Sequence, residues 1–392
     1  MHLGKIATRA MEAALAAGAG DAEAYVEDST GREIRIFDGE VESLTEAGQR
    51  GAGVRVWIDG RVGYAYGTDL GEAGIADIAA GAVEAARVAD PDEHAAAPSP
   101  DGAAAAIEGI FDPALAEWET KSKVELAQSI EAAARATDPR VVGVETTVYA
   151  DEESRVALAS STGLAGAFEA TSCYAFLQAI AADEEGDRQT GLGFGLGRSP
   201  FAGRLGDAVA AAALTLTDDG TDPAGLGSAP IDAEGAPRGR TALIDAGRLA
   251  AYLHDSYTAR REGGGTRSTA SASRAGYRSP PSVSTSNLIV AAGERSFEEL
   301  LADADGGVYV TDVAGLHSGV NPVSGSFSVG ATGRLIAGGE LAEAADEFTI
   351  ASDLESMLKN LAAAGRTARW VPFGGSVLTP PLLIAEMAVG GS

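Results

Sequence analysis

Two Asp-Gly pairs, Asp38-Gly39 and Asp59-Gly60, each stand between segments in which apolar and polar residues alternate. Asp-Gly supplies the two consecutive positive-φ positions of a type I′ turn, whose twist matches that of the strands it joins. Each pair therefore predicts a tight β-hairpin. Alternation through 24–27, 33–37, 54–58 and 62–66 gives the paired strands one apolar face, so residues 22–67 are expected to form an antiparallel sheet. That face has to be covered. Ahead of it, Ile6, Ala10, Ala13, Ala14 and Ala17 share one side of a helix, and behind it Ile75, Ile78, Ala79 and Val83 do so over 71–88.

The pattern then recurs. After a loop or linker at 90–106, rich in Pro, Asp and Ala, a helix is expected with Thr120 as N-cap, running to Ala136 before Asp138-Pro139. Strands over 141–150, 154–160 and 164–182 follow, with Thr162-Gly163 at a turn. The order of helix and strands at 3–58 thus returns at 121–182, which we read as an internal duplication. From Gly191 the texture changes: GLGFGLG (191–197) has glycine at every second position, and short strands and turns dominate afterwards. Helices are scarce there, with 246–259, 296–302 and 352–363 the main candidates. The chain is accordingly expected to be an α+β protein of two domains: residues 1–195 an antiparallel-sheet domain with helices, residues 196–392 a β-rich one.

Composition removes several function classes. With 29 Lys and Arg against 57 Asp and Glu, the 392-residue chain carries a net charge of −28. Phosphate recognition on nucleic acid or an anionic membrane needs many cations, so neither surface is an expected partner. No run of eighteen apolar residues exists, and the N-terminal alanine-rich stretch carries Glu12 without a cleavage-site flank, so neither a membrane span nor a signal peptide is expected. The single cysteine, Cys173, excludes an internal disulfide framework and a cysteine-rich zinc site; it reads as a small buried apolar residue. A reduced, cytoplasmic protein is the expectation.

Catalytic motifs are sparse. There is no GxxxxGK[ST], HExxH or HExxxH, and GLGFGLG is not GxGxxG. Asp303 and Asp305 lack the remaining ligands of a calcium loop. Of the four histidines, only His254 and His317 stand in structured surroundings. A zinc site normally takes three protein ligands from His, Cys and carboxylates, and two distant histidines with one far-off cysteine do not point to one. A Ser-His-Asp set using His317 and Asp312 has no nucleophile-elbow signature behind it.

Two segments rise above this background. Residues 260–278 carry Arg260, Arg261, Arg267, Arg274 and Arg278 against Glu262, a local +4 in a very acidic chain, with three consecutive glycines among hydroxyl residues. They read either as an internal ion-pairing segment or as a clamp for the carboxylates or carbonyls of an extended peptide. Residues 309–340 run from a strand into Gly315-Leu316-His317-Ser318-Gly319, Asn321-Pro322, a Ser-Gly-Ser-Phe-Ser strand and a Thr-Gly hairpin. That density of Gly, Ser, Asn and His reads either as a tight structural turn or as a peptide-binding loop that works by strand addition.

At these segments the chain resembles the TldD/PmbA family, the "modulator of DNA gyrase" proteins, and within it the PmbA or TldE branch. The matching stretches are GVRVWIDGRVGYAYGTDL (53–70), DAEGAP (232–237), YLHDSYTARREG (252–263), residues 286–328, FTIASDLESMLKNLAAAG (348–365) and PPLLIAEMAVGG (380–391), in order along most of the chain. The resemblance implies a two-domain subunit that pairs with a TldD-like subunit carrying zinc on an HExxxH helix and a late cysteine. Together such a pair forms a peptidase for unfolded peptides, including ribosomal peptide precursors. Carried over residue by residue, it yields no catalytic and no metal-binding residue here. Five positions on from His254-Asp255 stands Ala259, and 370–381 holds no cysteine. Several dozen residues of the family pattern are also missing near 197–206. A metal-free subunit is therefore expected, with zinc in the partner only, and His317, Ser318, Asn321, Ser326, Ser328, Arg260, Arg261 and Arg274 lining a peptide cleft. The alternative is a non-catalytic homodimeric peptide-binding protein; a third, weaker reading is a self-sufficient hydrolase using His317.

Overall fold

The structure, a computed structural model, describes residues 3–99, 102, 104–137, 139–182, 188–190, 204–321, 324–371 and 376–391. Helix α1 (Leu3–Ala16) leads into β1 (Asp21–Phe37), β2 (Glu40–Ile58) and β3 (Arg61–Gly67), followed by α2 (Glu72–Val88). Both Asp-Gly pairs form the expected hairpins, with φ of 52° and 78° at Asp38-Gly39 and 49° and 73° at Asp59-Gly60. After the linker and a helical turn, α3 (Pro113–Ala116), the chain repeats itself: α4 (Thr120–Thr137), β4 (Val141–Ser160), β5 (Ala165–Ala182) and β6 (Arg188–Thr190).

The six strands make one antiparallel sheet in the order β3-β2-β1-β4-β5-β6, which reads the same from either end when β1 to β3 are exchanged for β4 to β6. The duplication read in the sequence is thus a pseudo-twofold about the β1–β4 pair. One face carries the helices. Ala22, Ala24 and Val26 of β1 and Ala52, Val54 and Val56 of β2 pack under Ile6, Ala10 and Ala14 of α1 and Ile75, Ile78 and Val83 of α2. Further along β1, on the same face, Ile34 and Ile36 pack with Tyr149 under Ala127 of α4. The other face of β1 and β2 carries Glu23, Glu27 and Arg55, all buried, because the second half of the chain lies on it.

That half contains β7 (Leu216–Asp219), β8 (Arg240–Asp245), β9 (Arg248–Leu249), α5 (Ser256–Glu262), β10 (Ala272–Ser273), β11 (Ser282–Val283), β12 (Asn287–Val290) and α6 (Phe297–Asp303). It continues through β13 (Val308–Ala314), α7 (Leu316–Gly319), β14 (Ser326–Ala337), β15 (Glu340–Asp353), α8 (Leu354–Lys359), β16 (Leu361–Ala364), β17 (Arg369–Val371), β18 (Ser376–Thr379), β19 (Leu382–Ile384) and β20 (Ala388–Gly390). A six-stranded sheet β17-β18-β12-β7-β8-β9 and a four-stranded sheet β13-β14-β15-β20 dominate it, so the α+β class with a β-rich second half holds.

Several expectations are corrected. The two strands read at 141–150 and 154–160 are one, β4, because Asp151 to Glu153 stay in register with β1 although their polarity interrupts the alternation. Helix α4 starts at Thr120 itself, with Glu119 O accepting the first N–H groups. No helix spans 246–259: Ala246 and Gly247, at φ of 44° and 80°, turn β8 into β9, and only α5 is helical. The C-terminal helix stops at Lys359, where β16 begins. Thr332-Gly333 is a bulge inside β14, not a turn; Gly338-Gly339, at φ of 62° and 77°, make the hairpin. Cys173 is exposed on β5, opposite Asp151, rather than buried. The expected boundary at 195/196 and the GLGFGLG run (191–197) lie outside the described residues.

Candidate peptide-binding cleft

Loop 315–328 is built by backbone bonds. Gly315, at φ 79°, opens α7, and its carbonyl accepts the N–H groups of Ser318 and Gly319 at 3.0 and 2.7 Å. A Cβ on Gly319 would overlap the Ser328 carbonyl, so only glycine lets α7 lie this close to β14. Asn321 then donates its N–H to Ser326 O at 2.8 Å and accepts from Gly325 N–H at 2.9 Å, closing the turn. Ser318, Asn321, Ser326 and Ser328 are all exposed on this loop and its outgoing strand. The structure thus brings these four together. His317 lies within α7, but its side chain is outside the described ones.

Ser326 and Ser328 alternate with Phe327 and Val329, whose side chains join Phe348 and Ile350 in the core of the four-stranded sheet. The hydroxyls therefore lie on one face of that sheet, and on its other face runs a groove of about 1380 Å³ that sequence reasoning missed. Leu300, Ile336, Phe348, Ile350 and Leu383 line it, and Val308 to Val310 of β13 border it with Arg369 and Val371 of β17. Both β13 and β17 are end strands of their sheets. The groove assembles from five segments spread over a hundred residues, and no local pattern could have announced it.

The arginines lie elsewhere, around the junction of the two halves. Arg274 is buried, with its guanidinium paired to Glu23 and its Nε donating to Ala233 O at 3.2 Å. Arg55 of β2 bridges the same Glu23 and Glu234 at 2.8 and 3.0 Å. Tyr64 donates its hydroxyl to the carbonyls of Tyr277 and Ser279, and Tyr277 N–H donates to Glu27. Gly51 and Gly53 leave the flat bed on which Tyr277 lies; a Cβ on either would overlap it or the Tyr64 hydroxyl. Arg274 thus takes the internal ion-pairing role that stood beside the clamp reading. Arg260, on α5, donates to His94 O and Ala96 O at 2.8 and 2.7 Å and so ties down the linker, while Arg261 next to it is exposed.

The turn at 232–237 is the pivot of this junction. Asp232 Oδ1 accepts the N–H groups of Glu234 and Ala236 and Oδ2 that of Ala272. Burial, then the charge of Glu234, nonetheless push its carboxyl up to about 6. Burial works to raise Glu234 too, but Arg55 beside it and the Ser256 N–H hold it below the ordinary carboxylate range.

The residues that might have been metal donors do not fit zinc. Asp255 caps α5, its Oδ1 accepting from Thr258 N–H and Oγ at 2.7 and 2.8 Å, and His254 Nδ1 lies 3.3 Å from the same Thr258 hydroxyl. Both side chains face the helix cap, and Cys173 belongs to the other half. Among the described residues no three His, Cys, Asp or Glu side chains converge.

Residues 22–86, 113–217 and 187–391 match, in order, domain 1, the central domain and the C-terminal domain of the PmbA/TldA metallopeptidases. Metalloprotease PmbA of Escherichia coli O157:H7 is 27% identical over 438 aligned residues, covering 95% of this chain and 94% of that one. A metalloprotease TldD homologue of Haemophilus influenzae is 31% identical over 208 residues, 50% of this chain and 42% of its own. In fold, TldE from Thermococcus kodakarensis superposes with a TM-score of 0.87 at 20% identity, over 98% of this chain and all of that one.

Proposed function

Since the chain belongs to the PmbA/TldD metallopeptidase family, we propose that it is the metal-free, TldE-like subunit of a two-subunit zinc metallopeptidase that cleaves unfolded peptides. The zinc belongs to a TldD-like partner, where it would supply a water activated near neutral pH. This chain's part is to bind and orient the peptide. The observation that supports the reading is that His254 and Asp255, which superficially resemble the start of an HExxxH helix, are committed to the α5 cap.

The peptide is proposed to add as a strand to the free edge of β13. Successive side chains of an added strand point to opposite faces. One set would enter the apolar groove, and the other would turn toward Ser318, Asn321, Ser326 and Ser328 beside His317. Arg261 contributes an exposed cation near the junction, while Arg260 and Arg274 hold the segment that carries it.

Co-expression with a TldD-like HExxxH protein, followed by purification, zinc quantification and incubation with an unfolded peptide, tests the reading. A complex that holds zinc only when the partner is present and cleaves the peptide is expected. Zinc retained by this chain alone, or an inert mixture without complex formation, would overturn it.

A further inference from the structure

The two repeats of the first half differ beneath their helices. Counted from the first helical residue, Ile6, Ala10 and Ala14 of α1 correspond to Lys123, Ala127 and Glu131 of α4, and all six are buried. A charged side chain costs free energy to bury where the sister helix buries an apolar one. Glu131 has partners that offset this: it accepts from Gly39 N–H at 3.2 Å and pairs with Arg135 at 2.8 Å. Lys123 is held more loosely. Its side chain is 0% exposed, and its Nζ lies 2.9 Å from Asp151 Oδ2 without the alignment of a hydrogen bond. Both atoms, with Tyr149 Oη and Thr147 Oγ on the same face of β4, are buried and make no hydrogen bond among the described residues.

Strand register brings a thiol to the same place. Asp151 of β4 stands directly opposite Cys173 of β5, and opposed residues turn their side chains to one face of the sheet. Asp151 therefore has the Lys123 amine on its helix side and the Cys173 thiol on its strand side. Burial and then Asp151 push that thiol above its ordinary value while Lys123 acts to lower it, so both charges are within electrostatic reach of the sulfur. Cys173 is exposed, so a small oxidant can reach the sulfur while the amine stays dry.

We propose that hydrogen peroxide joins Cys173 to Lys123 through a nitrogen–oxygen–sulfur bridge, a reversible redox crosslink between α4 and β5. The sulfur first attacks a peroxide oxygen; the O–O bond breaks, water leaves and a sulfenic acid forms. A second peroxide displaces the sulfenic hydroxyl as water and leaves S–O–O–H on Cys173. Asp151 takes a proton from the Lys123 ammonium, and the freed amine attacks the sulfur-bound oxygen. An N–O bond forms as the O–O bond breaks, and the departing hydroxide leaves with a proton as water. In sum, one thiol, one amine and two peroxides give the bridge and three waters, with sulfur and nitrogen each oxidised by two electrons. Dithiothreitol, as reductant, returns thiol, amine and water. The bridge lies in the first half and leaves β13, the groove and the loop at 315–328 untouched, so it stands apart from the peptidase reading.

Intact mass spectrometry of the purified full chain, reduced and then treated with excess hydrogen peroxide at mildly alkaline pH, tests it, with peptide mapping to find the site. A gain of about 14 Da is expected, one oxygen in and two hydrogens out, in a peptide pair joining Lys123 to Cys173 and reversed by dithiothreitol. Cys173→Ser abolishes the gain. Lys123→Arg keeps a cation beside Asp151 and leaves a sulfenic or sulfinic acid on Cys173 instead, at about 16 or 32 Da. Far-UV circular dichroism checks that both variants fold, and the mapping of wild type decides without them if Lys123→Arg does not. An unchanged wild-type mass, gains of only about 16 or 32 Da, a disulfide between two chains, a bridge mapped elsewhere, or the same bridge mass in Lys123→Arg would each overturn the proposal.

Discussion

Tyr277 is buried to 1% of its surface although its phenol could have stayed in water, and two glycines on another part of the chain make that burial feasible. Gly51→Ala or Gly53→Ala should cost about 1–3 kcal/mol in urea unfolding, because the new methyl overlaps a ring or hydroxyl held from several sides. Gly48→Ala, whose Cβ would meet nothing nearer than 3.8 Å, should be close to neutral. Asp232 makes a prediction in pH. Its folded-state pKa of about 6 lies above the ordinary aspartate value, so the native state holds the proton more tightly than the unfolded chain. Its contribution to stability is full at low pH and is lost as pH rises through 6, with a limiting slope of about 1.4 kcal/mol per pH unit. Asp232→Asn should flatten stability between about pH 4 and 6 relative to wild type, the interval between the unfolded and folded values. In the cleft, Val310 is exposed at the edge of β13; Val310→Lys should weaken peptide binding by the complex about tenfold without moving the unfolding midpoint, since lysine is an established blocker of edge pairing.

Among the elements, those with strong local signals were legible and those made by distant partners were not. The hairpins at Asp38-Gly39 and Asp59-Gly60 follow from turn chemistry, and α6 from Ser296 and Glu299, which form a reciprocal cap. In the sequence, β4 reads as two strands because Asp151 to Glu153 are acidic, yet Asp151 pairs with Arg32 and with buried Lys123 from α4. That compensation comes from residues 119 and 28 positions away. The short α5 reads as a longer helix for the opposite reason: alanines at 246, 250 and 251 favour helix, but Gly247 and the Asp255 cap decide the ends. In the candidate site, the exposed Ser and Asn side chains of loop 315–328 were legible as a cluster. The groove behind it was not, and neither was the pairing of Arg274 with Glu23, 251 residues apart. Arg260→Ala should release the linker; limited proteolysis within 90–106 is expected to speed up several-fold while the circular dichroism spectrum stays the same.

The whole molecule carries its −28 unevenly, with arginines gathered at the junction of the two halves. Self-repulsion on the rest of the surface opposes compactness, and salt screens it. Raising salt from about 0.1 M to about 1 M cuts the Debye length from about 10 Å to about 3 Å, so the melting temperature should rise over that range. A fall would mean that the buried junction pairs are more accessible to solvent than the structure has them. The same junction bears on how such a sequence can drift. Arg260 grips the carbonyls of His94 and Ala96, and Tyr64 and Arg274 grip those of Tyr277, Ser279 and Ala233. Every residue type offers a main-chain carbonyl. In a randomised library, positions 94, 96 and 279 should therefore accept most substitutions, while Tyr64, Arg260 and Arg274 tolerate few, so selection would register the donors and overlook the atoms they hold.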